Sequence, residues 1–270
     1  MKNIALVLAI IISIILVVSG KIHWDNKIEA TTKIDNKVSS ERPATKNESN
    51  EKKEEVVVNE VDSSDIVKYT KNLPQEIVSK IEGAVSSKEP VHLIIMGSAS
   101  TPEAQNGWPT LLKTELLQTY GEEIFKITIK EFADKTSINV IQEELYQEVV
   151  DLHPDILLLE PFILADNGLV TIEDRLTNLT TMLEEFYNEN PELTVLLQPA
   201  NPLQGAVHYP KEVAELQRYA ESNEYIYLNH WTAWPDHQST EIAPYLAEDM
   251  PNDLGHQLWA DYLIDYFISK

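Results

Sequence analysis

An apolar run that ends in glycine and small hydroxyl residues constrains this chain more than any other feature. Residues 91–96 are apolar apart from His92, and residues 97–101 read Gly-Ser-Ala-Ser-Thr. Such a run is typical of a parallel strand buried on both faces, and the residues after it indicate a tight turn. In open α/β sheets, ligands bind outside the carboxyl ends of the strands. The sequence therefore predicts a crevice with residues 97–101 at its floor.

The following residues alternate between strand and helix patterns. Further strands are predicted at 124–129, 156–160, 193–198 and 225–228. Helices are predicted at 108–120, 137–151, 172–190, 211–222 and 255–268. This alternation predicts an α/β fold, a three-layer α/β/α domain with a parallel five-stranded sheet, over residues 89–270.

The N-terminus has the features of an export signal. Lys2 precedes an apolar run over residues 4–18 that is shorter than the roughly 20 residues of a transmembrane helix, and only a poor cleavage site follows it. We predict that residues 1–20 are an uncleaved signal anchor, with a cleaved signal peptide as the alternative. The rest of the chain is then expected to be extracytoplasmic.

Two further segments separate this anchor from the α/β domain. Residues 21–65 are highly charged and lack apolar periodicity, which predicts a disordered tether. Residues 66–88 have a helical pattern that is broken around Pro74, which predicts a helical lead-in.

Charge and composition exclude several classes of partner and site. Eight Lys and Arg oppose 30 Asp and Glu after residue 90, so this part carries a net charge of −22 out of −23. Nucleic acid is therefore not expected as a partner. The chain has no cysteine, and its histidines lack the spacing of metal ligands. We expect no metal site and no cofactor.

Four segments together carry a family resemblance. They are residues 92–101, Gly107-Trp108-Pro109, residues 153–158 and residues 251–256 leading into Trp259-Ala260. In order and spacing they resemble the SGNH/GDSL hydrolase superfamily of esterases and deacylases. The resemblance implies a flavodoxin-like sheet, and hydrolysis of ester or acyl groups on an envelope glycan or lipid.

The catalytic positions of that family hold different residues in this chain. Its first strand ends in Gly-Asp-Ser, with the serine as nucleophile, and the corresponding positions are Ser98 and Ala99. Its last segment reads Asp-x-x-His-Pro-Asn, which places Ala247 at the aspartate and Met250 at the general base. A thioether cannot accept a proton at neutral pH. The usual triad is therefore absent.

An active enzyme would need a different set of catalytic residues. Ser98 or Ser100 is the candidate nucleophile, and His256 is the candidate base with Asp253 as its orienting carboxylate. His208, in the loop after the fourth strand, is a second candidate base. The alternative is that the serines cap the turn, that Asp253 caps the last helix, and that His256 packs in its first turn.

Other residues are candidates for ligand contact because they follow predicted strands. Carboxylates and amides at a sheet edge can bind sugar hydroxyls or an ester, and indole rings stack on sugars. The alternatives are an Asx turn closed by Gly168, an exposed loop histidine and a packed tryptophan. The candidate substrate-binding residues are Gly97, Glu160, Asp166, Asn167, His208 and Trp231.

Two functions remain open on the sequence. One is an exported, membrane-anchored esterase or deacylase acting on an envelope glycan or lipid. The other is a catalytically inactive binding or scaffolding module with the same fold, because fold alone does not imply function. A cytoplasmic regulatory domain of flavodoxin type conflicts with the N-terminal apolar segment.

Overall fold

The computed structural model describes Ile66 and residues 68–269. The predicted anchor at 1–20 and the predicted tether at 21–65 lie outside these residues. None of the helices among the described residues is both long and apolar enough to cross a membrane.

The sheet has five parallel strands in the order β2-β1-β3-β4-β5. The strands are β1 Val91–Gly97, β2 Phe125–Glu131, β3 Ile156–Leu159, β4 Thr194–Leu197 and β5 Ile226–Tyr227. Every residue of β1 is buried, as its continuous apolar run predicts. The predicted α/β fold class with a five-stranded parallel sheet is confirmed.

Helices cover both faces of the sheet. They are α1 Gln75–Ser87, α2 Trp108–Tyr120, α3 Ser137–Gln142, α4 Gln147–Val150, α5 Ile172–Glu189, α6 Tyr209–Ser222 and α7 Asp253–Phe267. Alternate β1 residues point to opposite faces. Leu93 and Ile95 share one core cluster with α1, α2 and α7, whereas Ile94 and Met96 share a second cluster with the other four helices.

Several predicted helices differ in their boundaries from the observed ones, and two of the differences concern the candidate site. The helix predicted at 137–151 is two short helices, and Glu144 between them has a left-handed φ of 52°. The last helix is capped by Asn252, whose side chain accepts the backbone N–H groups of Leu254 and Gly255. Asp253 is therefore the first residue of α7 and not its N-cap.

A short hairpin that the sequence patterns do not predict precedes α7. Its strands are β6 Leu246–Ala247 and β7 Met250–Pro251, paired antiparallel with Ala247 opposite Met250. The two turn residues, Glu248 and Asp249, have φ angles of 51° and 65°. Two-residue hairpin turns with both φ values positive favour Asn-Gly, because a Cβ is disfavoured in the left-handed region.

We expect Glu248→Asn/Asp249→Gly to raise the free energy of unfolding by about 1 kcal/mol, because it relieves this backbone strain. Urea unfolding measures the change. Glu248→Ala/Asp249→Ala is the matched control, since it removes the same carboxylates but retains Cβ atoms. An equal gain in the alanine variant would attribute the effect to relief of charge and contradict the prediction.

Candidate functional site

The candidate site lies at the carboxyl ends of β1, β3 and β4. The turn after β1 is closed by a hydrogen bond from the Thr101 N–H to the Ser98 carbonyl, at 2.8 Å. Ser98 and Ser100 are buried in this turn, whereas Ala99, at the position of the family's nucleophile, is partly exposed. The turn therefore presents a methyl group, and not a hydroxyl, at its more accessible position.

Ser98 is bonded to a carboxyl group from the neighbouring strand. Its backbone N–H donates to Glu160 Oε2 at 2.8 Å, and its hydroxyl donates to the same oxygen at 2.5 Å. Glu160 directly follows β3 and is fully buried. It therefore joins the ends of β1 and β3 inside the protein and is not exposed to a ligand.

The environment of Glu160 disfavours its charged form. Burial raises the pKa of its carboxyl group to about 7, although the hydrogen bonds from Ser98 act in the opposite direction. Its second oxygen, Oε1, is buried without a hydrogen-bond partner among the described residues. The neutral acid can carry its proton on Oε1 while Oε2 continues to accept both bonds from Ser98.

Ser100 is also engaged by a side chain. Its hydroxyl donates to Asn201 Oδ1 at 3.1 Å, and Asn201 Nδ2 donates to the Asp249 carbonyl at 2.9 Å. Asn201 is fully buried in the loop after β4. It therefore connects the β1 turn to the hairpin that carries Met250.

His256 lies near the crevice but neither candidate serine bonds to it. The Trp108 backbone N–H faces His256 Nδ1 at 3.4 Å, so Nδ1 accepts and Nε2 carries the ring proton. Burial lowers the pKa of His256, with an opposing effect from the nearby charge of Asp253. The ring is therefore neutral at pH 7. Asp253 itself is exposed in the first turn of α7.

His208 and Trp231 occupy the rim of the same edge. His208 is exposed and directly precedes α6. Trp231 is half-buried, its indole N–H donates to the Ala200 carbonyl at 2.8 Å, and its ring packs against Tyr209 and His237. Much of Trp231 is thus used in packing, which leaves little of its ring for stacking on a sugar.

Asp166 is part of a buried polar group at the start of α3. It accepts the Ser137 backbone N–H at 2.8 Å, and its backbone carbonyl accepts from Arg175, whose guanidinium also pairs with Glu212 at 2.6 Å. Burial raises the pKa of Asp166. The neighbouring Asn167 is exposed. In the part of the chain described by the structure, no three His, Asp or Glu side chains are grouped as metal ligands.

An aromatic stack that the sequence did not predict packs at this edge of the sheet. Trp108 and Trp259 are parallel, with ring centroids 4.8 Å apart, and Trp259 stacks on His230 at 3.9 Å. His230 is fully buried, and burial lowers its pKa to about 3, so it is neutral. The three residues come from distant parts of the chain, and no local spacing signals that they meet.

The N–H groups of this stack bond to the loops that form the crevice. Trp108 Nε1 donates to the Ser100 carbonyl at 2.7 Å, and His230 Nε2 donates to the Pro199 carbonyl at 2.9 Å. Trp259 Nε1 donates to Gln198 Oε1 at 2.9 Å. The stack thus bonds to the loops after β1 and β4 and packs against them.

Comparison with known proteins identifies the fold. No family model matches the sequence, and no curated protein matches it. Solved structures do match. An alpha/beta hydrolase from the metagenome of Lake Arreo, Spain, is 15% identical with a TM-score of 0.54, covering 67% of this chain and 97% of its own.

Two other solved structures are named as esterases. A carbohydrate esterase family 3 protein from Talaromyces cellulolyticus is 13% identical with a TM-score of 0.55, covering 64% of this chain and 94% of its own. Axe2, an acetylxylan esterase from Geobacillus stearothermophilus, is 15% identical with a TM-score of 0.51, covering 66% and 94%. At these identities the likeness shows a shared fold.

We expect the free energy of unfolding to fall by up to about 3 kcal/mol between pH 4.5 and 7, through Glu160 alone. Its pKa is higher in the folded chain, so the unfolded chain releases this proton first as pH rises. Stability from this group is fully present below pH 4.5 and is lost as pH rises through about 7. Urea unfolding at a series of pH values measures it.

Glu160→Gln is the matched control, because it retains an acceptor oxygen for Ser98 but cannot ionise. The difference between the wild-type and variant curves removes the effects of the other carboxyl groups. Parallel curves over this pH range would contradict the prediction.

Proposed function

Because the chain has the fold of the SGNH/GDSL esterases and lipases, we propose that it binds an acylated ligand of the cell envelope in the crevice of that fold, without serine–histidine hydrolysis. One observation carries this proposal: Ala99 occupies the more accessible position of the turn, while the hydroxyls of Ser98 and Ser100 point to buried acceptors. The protein is then a binding module and not a serine esterase.

Among the described residues, neither candidate serine is hydrogen-bonded to a histidine, which supports the same proposal. A nucleophilic serine needs a base within hydrogen-bond reach, and that base needs an orienting group. Nδ1 of His256 is engaged by the Trp108 N–H, and Met250 occupies the position of the family's base. The hydroxyls of Ser98 and Ser100 bond to Glu160 and Asn201.

Two backbone N–H groups of the β1 turn are engaged by the protein. In the family the backbone N–H of the nucleophile turn helps to stabilise the negative charge that develops on the substrate oxygen. The N–H of Ser98 is already donated to Glu160, and that of Thr101 closes the turn. These two donors are unavailable to a reacting carbonyl, whereas the N–H at the family's nucleophile position is that of Ala99 and is not one of them.

The proposed ligand is an O-acylated glycan of the envelope. Two proteins of the same fold are named as esterases of carbohydrate substrates, which supports this class. The N-terminal apolar segment supports a location outside the cytoplasm, anchored to the membrane. The net charge of −22 after residue 90 favours a neutral ligand over an anionic one.

A second candidate function, ester hydrolysis, is favoured by one specific contact. The 2.5 Å hydrogen bond from Ser98 Oγ to Glu160 Oε2 pairs a hydroxyl with a carboxyl group whose pKa is raised to about 7. A carboxylate with that pKa is a better base than an ordinary one. The burial of Ser98, which is 2% exposed, opposes this alternative because a substrate must reach the hydroxyl.

The test compares the full-length protein with a variant that carries the family's triad. Ala99→Ser/Ala247→Asp/Met250→His places a serine at the accessible turn position, and Ala247 and Met250 are paired in the hairpin. We expect the variant to react with a fluorophosphonate probe at position 99 and to hydrolyse p-nitrophenyl acetate at least 10-fold faster than wild type. We expect wild type to remain unlabelled.

Labelling of wild-type protein at Ser98, abolished by Ser98→Ala but retained in Ser100→Ala, would overturn the binding proposal and establish the hydrolase. Binding of an acetylated oligosaccharide to wild type, measured by calorimetry with the deacetylated sugar as control, is the positive result. Equal binding of both sugars would refute recognition of the acyl group.

A further inference from the structure

The acidic group beside the β1 turn comes from another strand. Position 98 is a serine, and the carboxyl group that accepts its N–H and its hydroxyl belongs to Glu160 at the end of β3. We propose that Glu160 is the positioning residue of this turn, supplying from β3 the carboxyl group that the turn itself lacks. The role concerns the geometry of the turn and does not depend on which function the crevice performs.

The sheet register brings Glu160 to this place. Met96 pairs with Leu159, so the next residues, Gly97 and Glu160, lie side by side. A Cβ on Gly97 would lie 2.9 Å from the Glu160 Cβ and would overlap Thr101 Oγ1. Glycine at position 97 is therefore what allows the glutamate of β3 to approach the turn so closely.

Ser98 also bonds to other residues of the turn, so its position affects theirs. Its carbonyl accepts the Thr101 N–H at 2.8 Å, and its hydroxyl oxygen accepts the Ser100 N–H at 3.3 Å. The Ser100 carbonyl in turn accepts the indole N–H of Trp108. Displacement of Ser98 would thus move the accessible Ala99 and change the environment of the Trp108 indole.

Other charged groups face Glu160 from the elements packed around it. Asp166, in the loop after β3, disfavours its ionisation, and Arg175 lies 3.9 Å from Asp166 as the opposing charge. Tyr209, on α6, interacts with Glu160 electrostatically and has a strongly raised pKa, so it is neutral. Glu160 is therefore the group here whose ionisation near pH 7 acts directly on the turn.

The test moves the carboxyl group from one strand to the other. We expect Glu160→Ala to lower the Tm of the full-length protein by roughly 5–10 °C, because it leaves the Ser98 N–H and hydroxyl without an acceptor. We expect Ser98→Asp alone to lower it by a similar amount, because two carboxyl groups then share one buried site. The double variant Ser98→Asp/Glu160→Ala should recover to within about 3 °C of wild type.

A matched control separates charge from shape. Ser98→Asn/Glu160→Ala has nearly the same volume but no titratable group, so its Tm should lack the pH dependence that the relocated carboxyl group restores. A double variant that loses as much as the sum of the two single variants would overturn the proposal, because the carboxyl group would then not be exchangeable between the strands.

A second measurement does not require the alanine variant to fold. In wild type, the indole ¹H–¹⁵N resonance of Trp108 should shift with a midpoint near pH 7 as Glu160 ionises. In Glu160→Gln this shift should disappear, while the resonance of Trp234, whose indole N–H donates to His230, serves as an internal reference. A Trp108 shift that persists in Glu160→Gln would assign the titration to another group and contradict the positioning role.

Discussion

The hydrogen bonds between Glu160 and Ser98 hold together the candidate functional site. They join Glu160, directly after β3, to Ser98, directly after β1, and both residues are buried. A buried donor without an acceptor costs about 1–3 kcal/mol, so both strands constrain each other here. The same burial raises the pKa of the carboxyl group, and the floor of the crevice therefore depends on a group that titrates near neutral pH.

The aromatic stack explains how irregular loops can be buried at this edge. Buried carbonyl groups need donors, and loops have no regular ladder to supply them. The indole N–H groups of Trp108 and Trp231 and the imidazole N–H of His230 donate to the Ser100, Ala200 and Pro199 carbonyls. The Trp234 indole N–H donates to His230 Nδ1 at 3.0 Å, which fixes the neutral tautomer of that ring. The rings thus contribute both apolar area and side-chain donors for backbone carbonyls.

The sequence predicted the fold well because its strongest patterns are local. The apolar run of β1 and the alternation of strands and helices are readable from neighbouring residues, and the sheet confirms them. The hairpin of β6 and β7 was missed because each strand has two residues and its turn carries Glu and Asp instead of Asn-Gly. Its left-handed turn has no compositional signal.

The contacts of the site could not be predicted, because they join residues far apart in sequence. Glu160 was a candidate ligand contact on its position after a strand, and only the register of β1 and β3 shows that it faces Ser98. Ser100 meets Asn201 across 101 positions. Among the candidate residues, Ser98 and Glu160 are brought together, whereas His208 and Asn167 lie exposed on separate loops. The residue types showed that these side chains would form hydrogen bonds, but not with which partners.

Hydrogen bonds within the protein already occupy most donors of the candidate site, which restricts what can bind there. The hydroxyls of Ser98 and Ser100 and the indole N–H of Trp108 are all donated to protein acceptors. His256 differs, since its Nδ1 accepts from the protein and its Nε2 N–H is the remaining donor of a half-buried, neutral ring. A neutral ring with one remaining N–H donor suits an uncharged acceptor better than a charged one. An acyl carbonyl has this chemistry, whereas an anion would meet a domain of strongly negative charge without a cation to pair with at this ring.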